Sequence, residues 1–196
     1  MKKPYTIGLT GGIGAGKSTI AQIFKSIDIP VFNSDLYGKE LLINNQNIRR
    51  TIIKTFGDHI EKNDIIDKKK LSQIVFSNKE KLEELNKIIH PKVKLEFESW
   101  LKQQTSHYII KESALLFETN TEQMLDKIIL VKAPLEIRIQ RVCKRDNRTK
   151  KEVEKIIKNQ IDPNSIIKKV DYLINNNEEK LLTPKIIKLH NILKKL

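Results

Sequence analysis

Residues 11–19, with the sequence GGIGAGKST, restrict the fold of this chain more than any other stretch. Gly11 and Gly16 are separated by four residues, and Lys17 and Ser18 follow at once. Glycines let main-chain N–H groups come close to a bound anion, because no Cβ stands in the way. A lysine in this position reaches the β- and γ-phosphates of a nucleotide, and the next hydroxyl holds Mg²⁺. The pattern therefore predicts a nucleoside triphosphate site, with Lys17 on the phosphates and Ser18 as metal ligand.

The residues on either side of this loop favour a strand before it and a helix after it. Residues 5–9 form a short run that is typical of a buried strand. Apolar residues after the loop recur with helical spacing, at Ile20, Ile23, Phe24 and Ile27. In this order the positive end of the helix faces the phosphates. A glycine-rich turn that only joins two elements is the alternative.

The length and cysteine content place the chain in a broad class. Its 196 residues suffice for one well-buried core with a small inserted subdomain, and are too few for two full enzymes. No apolar run approaches the roughly 20 residues of a membrane span, and no leader is expected before the first strand. The single cysteine, Cys143, excludes an internal disulfide, which fits a reducing compartment. We expect a cytoplasmic protein without a membrane partner.

The formal net charge of +13 is compatible with binding of nucleic acid, whose phosphates attract basic surfaces. The lysines are scattered, however, over the polar positions of amphipathic helices. The chain also lacks clusters of aromatic residues on which bases could stack. We therefore expect a polyphosphate substrate rather than nucleic acid, and we favour a monomer.

Strands beyond the first are predicted at residues 29–32, 108–111, 127–131 and 172–174. Helical patterns separate them. This alternation, with a glycine-rich loop after the first strand, predicts an α/β fold with a doubly wound, mostly parallel sheet.

Residues 36–104 show helical periodicity and no convincing strand, which predicts three or four helices inserted into the sheet. Gly57 is placed to end one of these helices. Ser77 and Glu80 form a capping box that opens another, and His90-Pro91 is expected to interrupt it. We interpret the insert as a substrate-binding subdomain, although a purely structural bundle would show the same periodicity.

Asp35 stands just past the carboxyl end of the second predicted strand, where open α/β sheets bind ligands. A carboxylate there can accept the proton of an attacking alcohol. The alternative is that Asp35 or Ser34 only caps a helix beginning near Leu36, and capping could coexist with catalysis.

Residues 135–146 are predicted to form an arginine-bearing helix. Thr149 and Glu152 form a capping box that begins a second helix, reaching to about residue 160. The arginines of the first helix are Arg138, Arg141 and Arg145. Such a helical pair is the usual form of a lid that closes over phosphates. A solvated charged face is the alternative for each arginine.

Phosphoryl transfer depends on positioning and charge neutralisation more than on covalent chemistry. The loop lysine, a metal ligand, a carboxylate and the lid arginines are the parts that it needs. The residues therefore predict a small-molecule kinase with a nucleoside triphosphate as donor and Mg²⁺ as cofactor. Another nucleotide or metabolite kinase is the nearest alternative, and a nucleic-acid-binding ATPase is the alternative from another class.

A set of motifs runs in order along nearly the whole chain. They are LTGGIGAGKST near the start, Ser34-Asp35, His90-Pro91, LLFE at 115–118, Arg141-x-x-x-Arg145-Asp146, Gln160, and Asp171-Tyr172-Leu173-Ile174-x-Asn176. Together they resemble the dephospho-CoA kinase family. The resemblance implies a P-loop NTPase fold with three α/β/α layers, a parallel five-stranded sheet, a helical acceptor-binding insert and an arginine-bearing lid. It also implies transfer of the ATP γ-phosphate to the ribose 3′-hydroxyl of dephospho-CoA, the final step of coenzyme A synthesis.

The same resemblance implies roles for individual residues. The ATP-binding residues would be Gly12, Gly14, Ala15, Gly16, Lys17, Ser18, Thr19 and Asn176, the last beside the adenine. Asp35 would be the catalytic base, with Lys17, Arg141 and Arg145 acting on the transferring phosphoryl group. The acceptor site would contain Asp35, His90, Leu115 and Glu118. We expect a single domain, 1–196, with the core at 1–35, 105–134 and 170–196, the CoA-binding insert at 36–104 and the lid at 135–169.

Several positions depart from the family pattern. Asn33 stands where an aspartate is usual, so the base role falls on Asp35 alone. Ala114 replaces the usual proline, and Glu112 stands near the customary aspartate, which leaves open the carboxylate of the metal site. Gly38 replaces the usual alanine, in a stretch expected to contact the acceptor.

Overall fold

The computed structural model describes residues 3–62 and 65–196. It divides into two compact units. Met1–Asn33 and Trp100–Leu196 form the first, named the sheet unit, and Ser34–Ser99 form the second, named the helical unit.

Helices and strands follow one another along the chain. The strands are β1 (Tyr5–Thr10), β2 (Val31–Asn33), β3 (Glu61–Lys62), β4 (Ile65–Ile66), β5 (Tyr108–Glu112), β6 (Lys127–Lys132) and β7 (Tyr172–Asn175). The α-helices are α1 (Lys17–Ser26), α2 (Ser34–Asn44), α3 (Gln46–Phe56), α4 (Lys68–Ser77), α5 (Lys79–Lys102), α6 (Leu135–Asp146), α7 (Lys150–Lys158) and α8 (Leu182–Leu193). Among the helices of the described residues, none is both long and apolar enough to cross a membrane.

A five-stranded parallel sheet in the order β2-β5-β1-β6-β7 forms the centre of the sheet unit. Its central strands are almost entirely buried, as strands between two helical layers must be. Asn33 and Glu112 are register partners at the carboxyl ends of β2 and β5. The predicted parallel α/β fold is confirmed, and the strand ends differ from the prediction by one or two residues.

The helices α1 and α8 pack together in the core of the sheet unit. Ile20 and Phe24, two residues of the stripe predicted after the loop, are fully buried. Ile186 and Leu193 of α8 are also fully buried. Full burial of such a side chain contributes about 1.5–3 kcal/mol, so this layer fixes the helix that begins at Lys17.

The helical unit has a core of its own. Its buried apolar residues are Leu42, Ile48, Ile52, Phe56, Ile60, Ile66, Leu71 and Val75. Gly57 ends α3 as predicted, because its N–H donates to Ile53 O at 2.8 Å and its φ is 93°. Asn45 caps the start of the same helix by accepting from Ile48 N at 3.0 Å.

The prediction that residues 36–104 contain no strand is wrong. β3 and β4 pair as two short antiparallel strands, with Glu61 opposite Ile66 and Lys62 opposite Ile65. Strands of two residues are too short to show a period in the sequence. Burial of Ile66 in the core of the helical unit holds this strand pair instead.

The predicted break at His90-Pro91 is also wrong. α5 runs for 24 residues with Pro91 inside it. A proline removes one backbone hydrogen bond and crowds the preceding turn, which costs roughly 3 kcal/mol but need not end a helix. Val93 and Phe97, on the turns that follow, are buried and favour continuation.

The capping box predicted at Ser77 and Glu80 is displaced by one residue. Ser77 ends α4, and its hydroxyl donates to Ile74 O at 2.8 Å. Asn78 caps α5 instead, since its Oδ1 accepts from Lys81 N at 3.1 Å. Asparagine and serine are comparable caps, so the motif alone did not rank them. The capping box at Thr149 is confirmed at the start of α7.

Candidate active site

The loop between β1 and α1 has a backbone shape that requires glycine at its end. Gly16 has a φ of 98° and stands at the N-cap of α1. A Cβ there would collide with the side-chain amide of Asn176, and L-residues rarely adopt this conformation. The loop therefore leads directly into a helix N-terminus, whose unpaired N–H groups attract anions.

The carbonyl oxygens of the loop accept hydrogen bonds from the protein itself. Lys17 Nζ donates to Gly11 O at 2.8 Å. Three side chains bind the carbonyls further along: Arg138 Nε to Ile13 O at 2.9 Å, Arg141 Nη1 to Gly14 O at 3.1 Å, and Asn176 Nδ2 to Ala15 O at 2.9 Å. These hydrogen bonds occupy carbonyl oxygens that would otherwise repel a phosphate.

A carboxylate meets the loop serine at the carboxyl end of the sheet. Ser18 Oγ donates to Glu112 Oε1 at 2.8 Å, and Asn33 Nδ2 donates to Glu112 Oε2 at 2.7 Å. Glu112 is only 3% exposed, whereas Ser18 and Thr19 are exposed in the first turn of α1. The structure thus joins the predicted metal ligand to an acidic partner.

Hard oxygen donors of this kind suit Mg²⁺, which is commonly held by one or two protein ligands together with substrate phosphates. The Ser18 hydroxyl and the Glu112 carboxylate offer such a set. Across residues 3–62 and 65–196, no group of three or more His, Cys, Asp and Glu side chains could hold a metal ion. The residues present fit a metal that binds together with a nucleotide.

Arg141 connects α6 to the segment after β7. Its Nη2 donates to Asn176 Oδ1 at 3.3 Å and to Glu178 Oε1 at 2.9 Å. Asn176 is 7% exposed. The structure therefore brings Arg141 and Asn176, both predicted from the sequence, together against the loop.

Arg138 lies beneath the loop rather than on a solvated face. Arg138 is only 7% exposed, so the alternative of a solvated charged face is wrong for this arginine. The guanidinium is so close to Gly12 that a Cβ on that glycine would collide with it. Burial lowers the pKa of Arg138 below its usual value, and the charge of Asp162 acts in the opposite direction.

Arg145 is placed differently from Arg141. It is largely exposed, and its Nε and Nη2 donate to the two carboxylate oxygens of Asp146 at 2.7 and 2.8 Å. These hydrogen bonds raise the pKa of Arg145. The contacts described for Arg145 stay within α6, so the structure does not join it to the loop.

Leu115 and Glu118, predicted for the acceptor site, follow β5 in the sheet unit. Leu115 N donates to Ser113 Oγ at 3.2 Å. Glu118 Oε1 accepts from Ile161 N at 3.0 Å. A small cleft lies between these segments and the start of the loop, with Gly12, Phe117, Glu118 and Gln160 among its lining residues.

Asp35 and His90 belong to the helical unit. Asp35 is in the first turn of α2, and His90 lies within α5. Because α2 begins at Ser34, the alternative in which Ser34 or Asp35 caps a helix starting near Leu36 is wrong. The catalytic role of Asp35 and the acceptor role of His90 stay predictions.

Sequence reasoning missed the contacts of three residues near the loop. They are Glu112, Arg138 and Gln160, whose Oε1 accepts from Ile13 N at 2.8 Å. For Glu112 a signal was available, because a carboxylate that ends a buried strand needs hydrogen-bond partners. Arg138 shares a helical face with Ile139 and Val142, which indicated burial but not its partner in the loop. For Gln160 the spacing along the chain carried no such signal.

Solved structures with the same architecture were found by comparison. The crystal structure of TT1252 from Thermus thermophilus has a TM-score of 0.83 at 29% identity and covers 100% of this chain and 99% of that chain. A dephospho-CoA kinase from Campylobacter jejuni has a TM-score of 0.68 at 27% identity, with 97% of each chain covered. Both similarities extend over both units.

The parallel sheet, the glycine-rich loop and the Ser18–Glu112 pair define a P-loop kinase. The model of the dephospho-CoA kinase family matches residues 5–181, and the dephospho-CoA kinase of Fusobacterium nucleatum subsp. nucleatum is 42% identical over 172 residues, 87% of this chain and 89% of that protein. The chain belongs to the dephospho-CoA kinase family, which confirms the resemblance noted in its motifs.

Proposed function

We propose that this protein transfers the γ-phosphate of ATP to the ribose 3′-hydroxyl of dephospho-CoA and so completes coenzyme A synthesis. The observation that supports ATP as the phosphate donor is the hydrogen bond from Ser18 to Glu112 beside the glycine-rich loop. Membership of the family supports the acceptor half. The reaction is proposed for the cytoplasm, with the monomer as the active form.

The donor site is assigned to the loop and the start of α1. The main-chain N–H groups of residues 14–19 would bind the phosphates of ATP. Gly12 is assigned to the same ATP-binding loop. The Lys17 ammonium group would exchange its hydrogen bond to the Gly11 carbonyl for bonds to the β- and γ-phosphates. The phosphates are the stronger acceptors because they are charged. Asn176, held against Ala15, would lie beside the adenine.

Mg²⁺ is assigned to Ser18 and Glu112. When bound, it would neutralise charge on the β- and γ-phosphates. Asn33 would keep Glu112 in place through its amide.

Asp35 is assigned as the general base that accepts the proton of the 3′-hydroxyl. An amide cannot take that role, so Asn33 offers no second base. His90, Leu115 and Glu118 are assigned to the acceptor site, and residues 135–169 to a lid. Within the lid, Arg141 and Arg145 would stabilise charge on the transferring phosphoryl group.

A coupled assay of ADP release tests the activity. Dephospho-CoA should support turnover, while adenosine and AMP at equal concentration should not. If AMP were consumed and dephospho-CoA were not, the chain would be another P-loop kinase and the acceptor assignment would be wrong.

Asp35→Asn tests the base. It should retain binding of a non-hydrolysable ATP analogue and lose turnover by about 100-fold or more, the usual contribution of a general base. Asp58→Asn, at an exposed position of the helical unit, is the matched control. Unchanged turnover in Asp35→Asn would remove Asp35 from the mechanism.

A further inference from the structure

The peptide groups of Ile13 are held from both sides by side chains that stand far away in the sequence. Ile13 N donates to Gln160 Oε1 at 2.8 Å. Ile13 O accepts from Arg138 Nε at 2.9 Å. Gln160 follows α7, and Arg138 belongs to α6. One loop residue is therefore fixed by two parts of the segment 135–169.

The loop has little rigidity of its own at this point. Gly12 and Gly14 flank Ile13, and Gly14 has a φ of 76°. Glycine accepts many backbone conformations, so the peptide planes around Ile13 could rotate at low cost. What opposes rotation is the loss of hydrogen bonds, because an N–H or C=O left without a partner away from water is unfavourable.

The two side chains are themselves well anchored. The backbone of Arg138 lies against the loop, since a Cβ on Gly14 would come within 2.5 Å of Arg138 O. Gln160 N donates to Ile157 O at 3.1 Å, which continues the last turn of α7. The neighbouring Ile161 N is bound by Glu118 at 3.0 Å. Gln160 is thus held outside the loop, and Arg138 is held both by the loop and by α6, where Arg138 N donates to Pro134 O at 3.0 Å.

We infer that Arg138 and Gln160 form a clamp on Ile13 that holds the glycine-rich loop in its phosphate-binding shape. The inference rests on the proposed function, in which this loop is the ATP site. Both are positioning residues that act through the loop backbone. The clamp takes up both polar groups of the Ile13 backbone. A free loop that spends less time in the binding shape has a proportionally weaker apparent affinity.

Gln160→Met tests the clamp, because it keeps the length of the side chain and removes the acceptor oxygen. Two quantities are measured: the dissociation constant of a non-hydrolysable ATP analogue with Mg²⁺, and hydrogen exchange of the loop amides without nucleotide. We expect about tenfold weaker binding and faster exchange at Ile13. The KM for ATP should rise, while kcat and the KM for the acceptor should change little.

Gln160→Glu is the conservative variant, because its carboxylate can still accept from Ile13 N. Slow exchange at Ile13 should return in this variant. Arg138→Lys keeps the charge and loses the Nε donor, and should weaken analogue binding in the same way as Gln160→Met. Gln104→Met is the matched control, since Gln104 makes a hydrogen bond to Trp100 O at 2.9 Å elsewhere in the sheet unit.

The outcomes separate the clamp from the proposed function. Unchanged exchange and unchanged analogue affinity in both Gln160→Met and Arg138→Lys would overturn the clamp, even in an enzyme that phosphorylates dephospho-CoA. Weaker analogue binding in these variants, in a protein whose wild type ignores dephospho-CoA, would support the clamp and overturn the proposed acceptor. Equal losses in Gln104→Met would also overturn the clamp, because they would point to general destabilisation.

Discussion

The hydroxyl of Ser18 donates a hydrogen bond of 2.8 Å to Oε1 of Glu112, whose other oxygen accepts from Asn33 at 2.7 Å. Both oxygens of a carboxylate that is 3% exposed are thereby bound. A buried carboxylate without such donors would be strongly unfavourable. The pair therefore places a carboxylate beside the nucleotide loop, where it can bind a metal ion.

Glu112→Gln should raise the Mg²⁺ concentration needed for half-maximal binding of an ATP analogue by about tenfold, because the charge is lost and one donor is left facing an amide N–H₂. Binding of the analogue without metal should change less. A Mg²⁺ titration at fixed analogue concentration measures both. Glu136→Gln, at an exposed ion pair of α6, is the control. An unchanged Mg²⁺ midpoint in Glu112→Gln would contradict the metal assignment.

Asn33→Asp should destabilise the metal-free protein in a pH-dependent way. Two carboxylates would then meet where Asn33 and Glu112 are now 2.7 Å apart. Their repulsion would raise the pKa of one carboxyl group in the folded state, so that this group would keep its proton to a higher pH than in the unfolded chain. A raised carboxyl pKa costs stability as pH rises above the unfolded value of about 4. The melting temperature should therefore fall relative to wild type from about pH 4 upward, and Mg²⁺ with an ATP analogue should reduce the difference. A difference that is the same at all pH values would count against this account.

The features that were predictable from the sequence depend on local patterns. The loop and the start of α1 follow from glycine and lysine spacing, and α6 was predicted with its observed ends, Leu135–Asp146. The strands followed from short apolar runs between turns. In each case the residues that decide the structure are neighbours along the chain.

The features that were missed depend on contacts between distant residues. Asn33 and Glu112 are 79 positions apart, and only the parallel register of β2 and β5 brings them together. Pro91 marks a local weakness in α5, but burial of Val93 and Phe97 decides that the helix continues. Arg138 shares the buried face of α6 with Ile139 and Val142, but only the packing of α6 against the loop shows what its guanidinium contacts.

Arg141→Ala and Arg145→Ala should separate two kinds of arginine in the proposed lid. Arg141 binds Gly14 O and Asn176, so its removal should weaken binding of an ATP analogue by about tenfold. Arg145 forms an exposed pair with Asp146, and such pairs contribute about 0–1 kcal/mol, so its removal should leave analogue binding almost unchanged. Turnover should fall in both variants if both act on the phosphoryl group. Equal losses of analogue affinity in the two variants would contradict the distinction between the arginines. Full turnover in Arg145→Ala would contradict the catalytic role of Arg145.

Partial burial of His190, beside Tyr108, should make the stability of the sheet unit depend on pH. The Tyr108 hydroxyl lies 2.7 Å from His190 Nδ1, between β5 and α8. Burial lowers the pKa of His190 below its usual value, and the charge of Lys194 acts in the same direction. A histidine with a lowered pKa in the folded state favours folding fully above the unfolded pKa of about 6.5, and this contribution is lost as pH falls below that value.

His190→Gln should remove this pH dependence, because glutamine does not titrate and can still hydrogen-bond to Tyr108. The free energy of unfolding, measured with urea at about pH 7.5 and about pH 5.5, should fall more steeply toward acid in the wild type than in the variant. His107→Gln, at a histidine of the same unit for which Tyr5 is the ring neighbour, controls for loss of any histidine. If the free energy of unfolding changed with pH equally in wild type and His190→Gln, protonation of His190 would not weaken the folded state, and the account would be wrong.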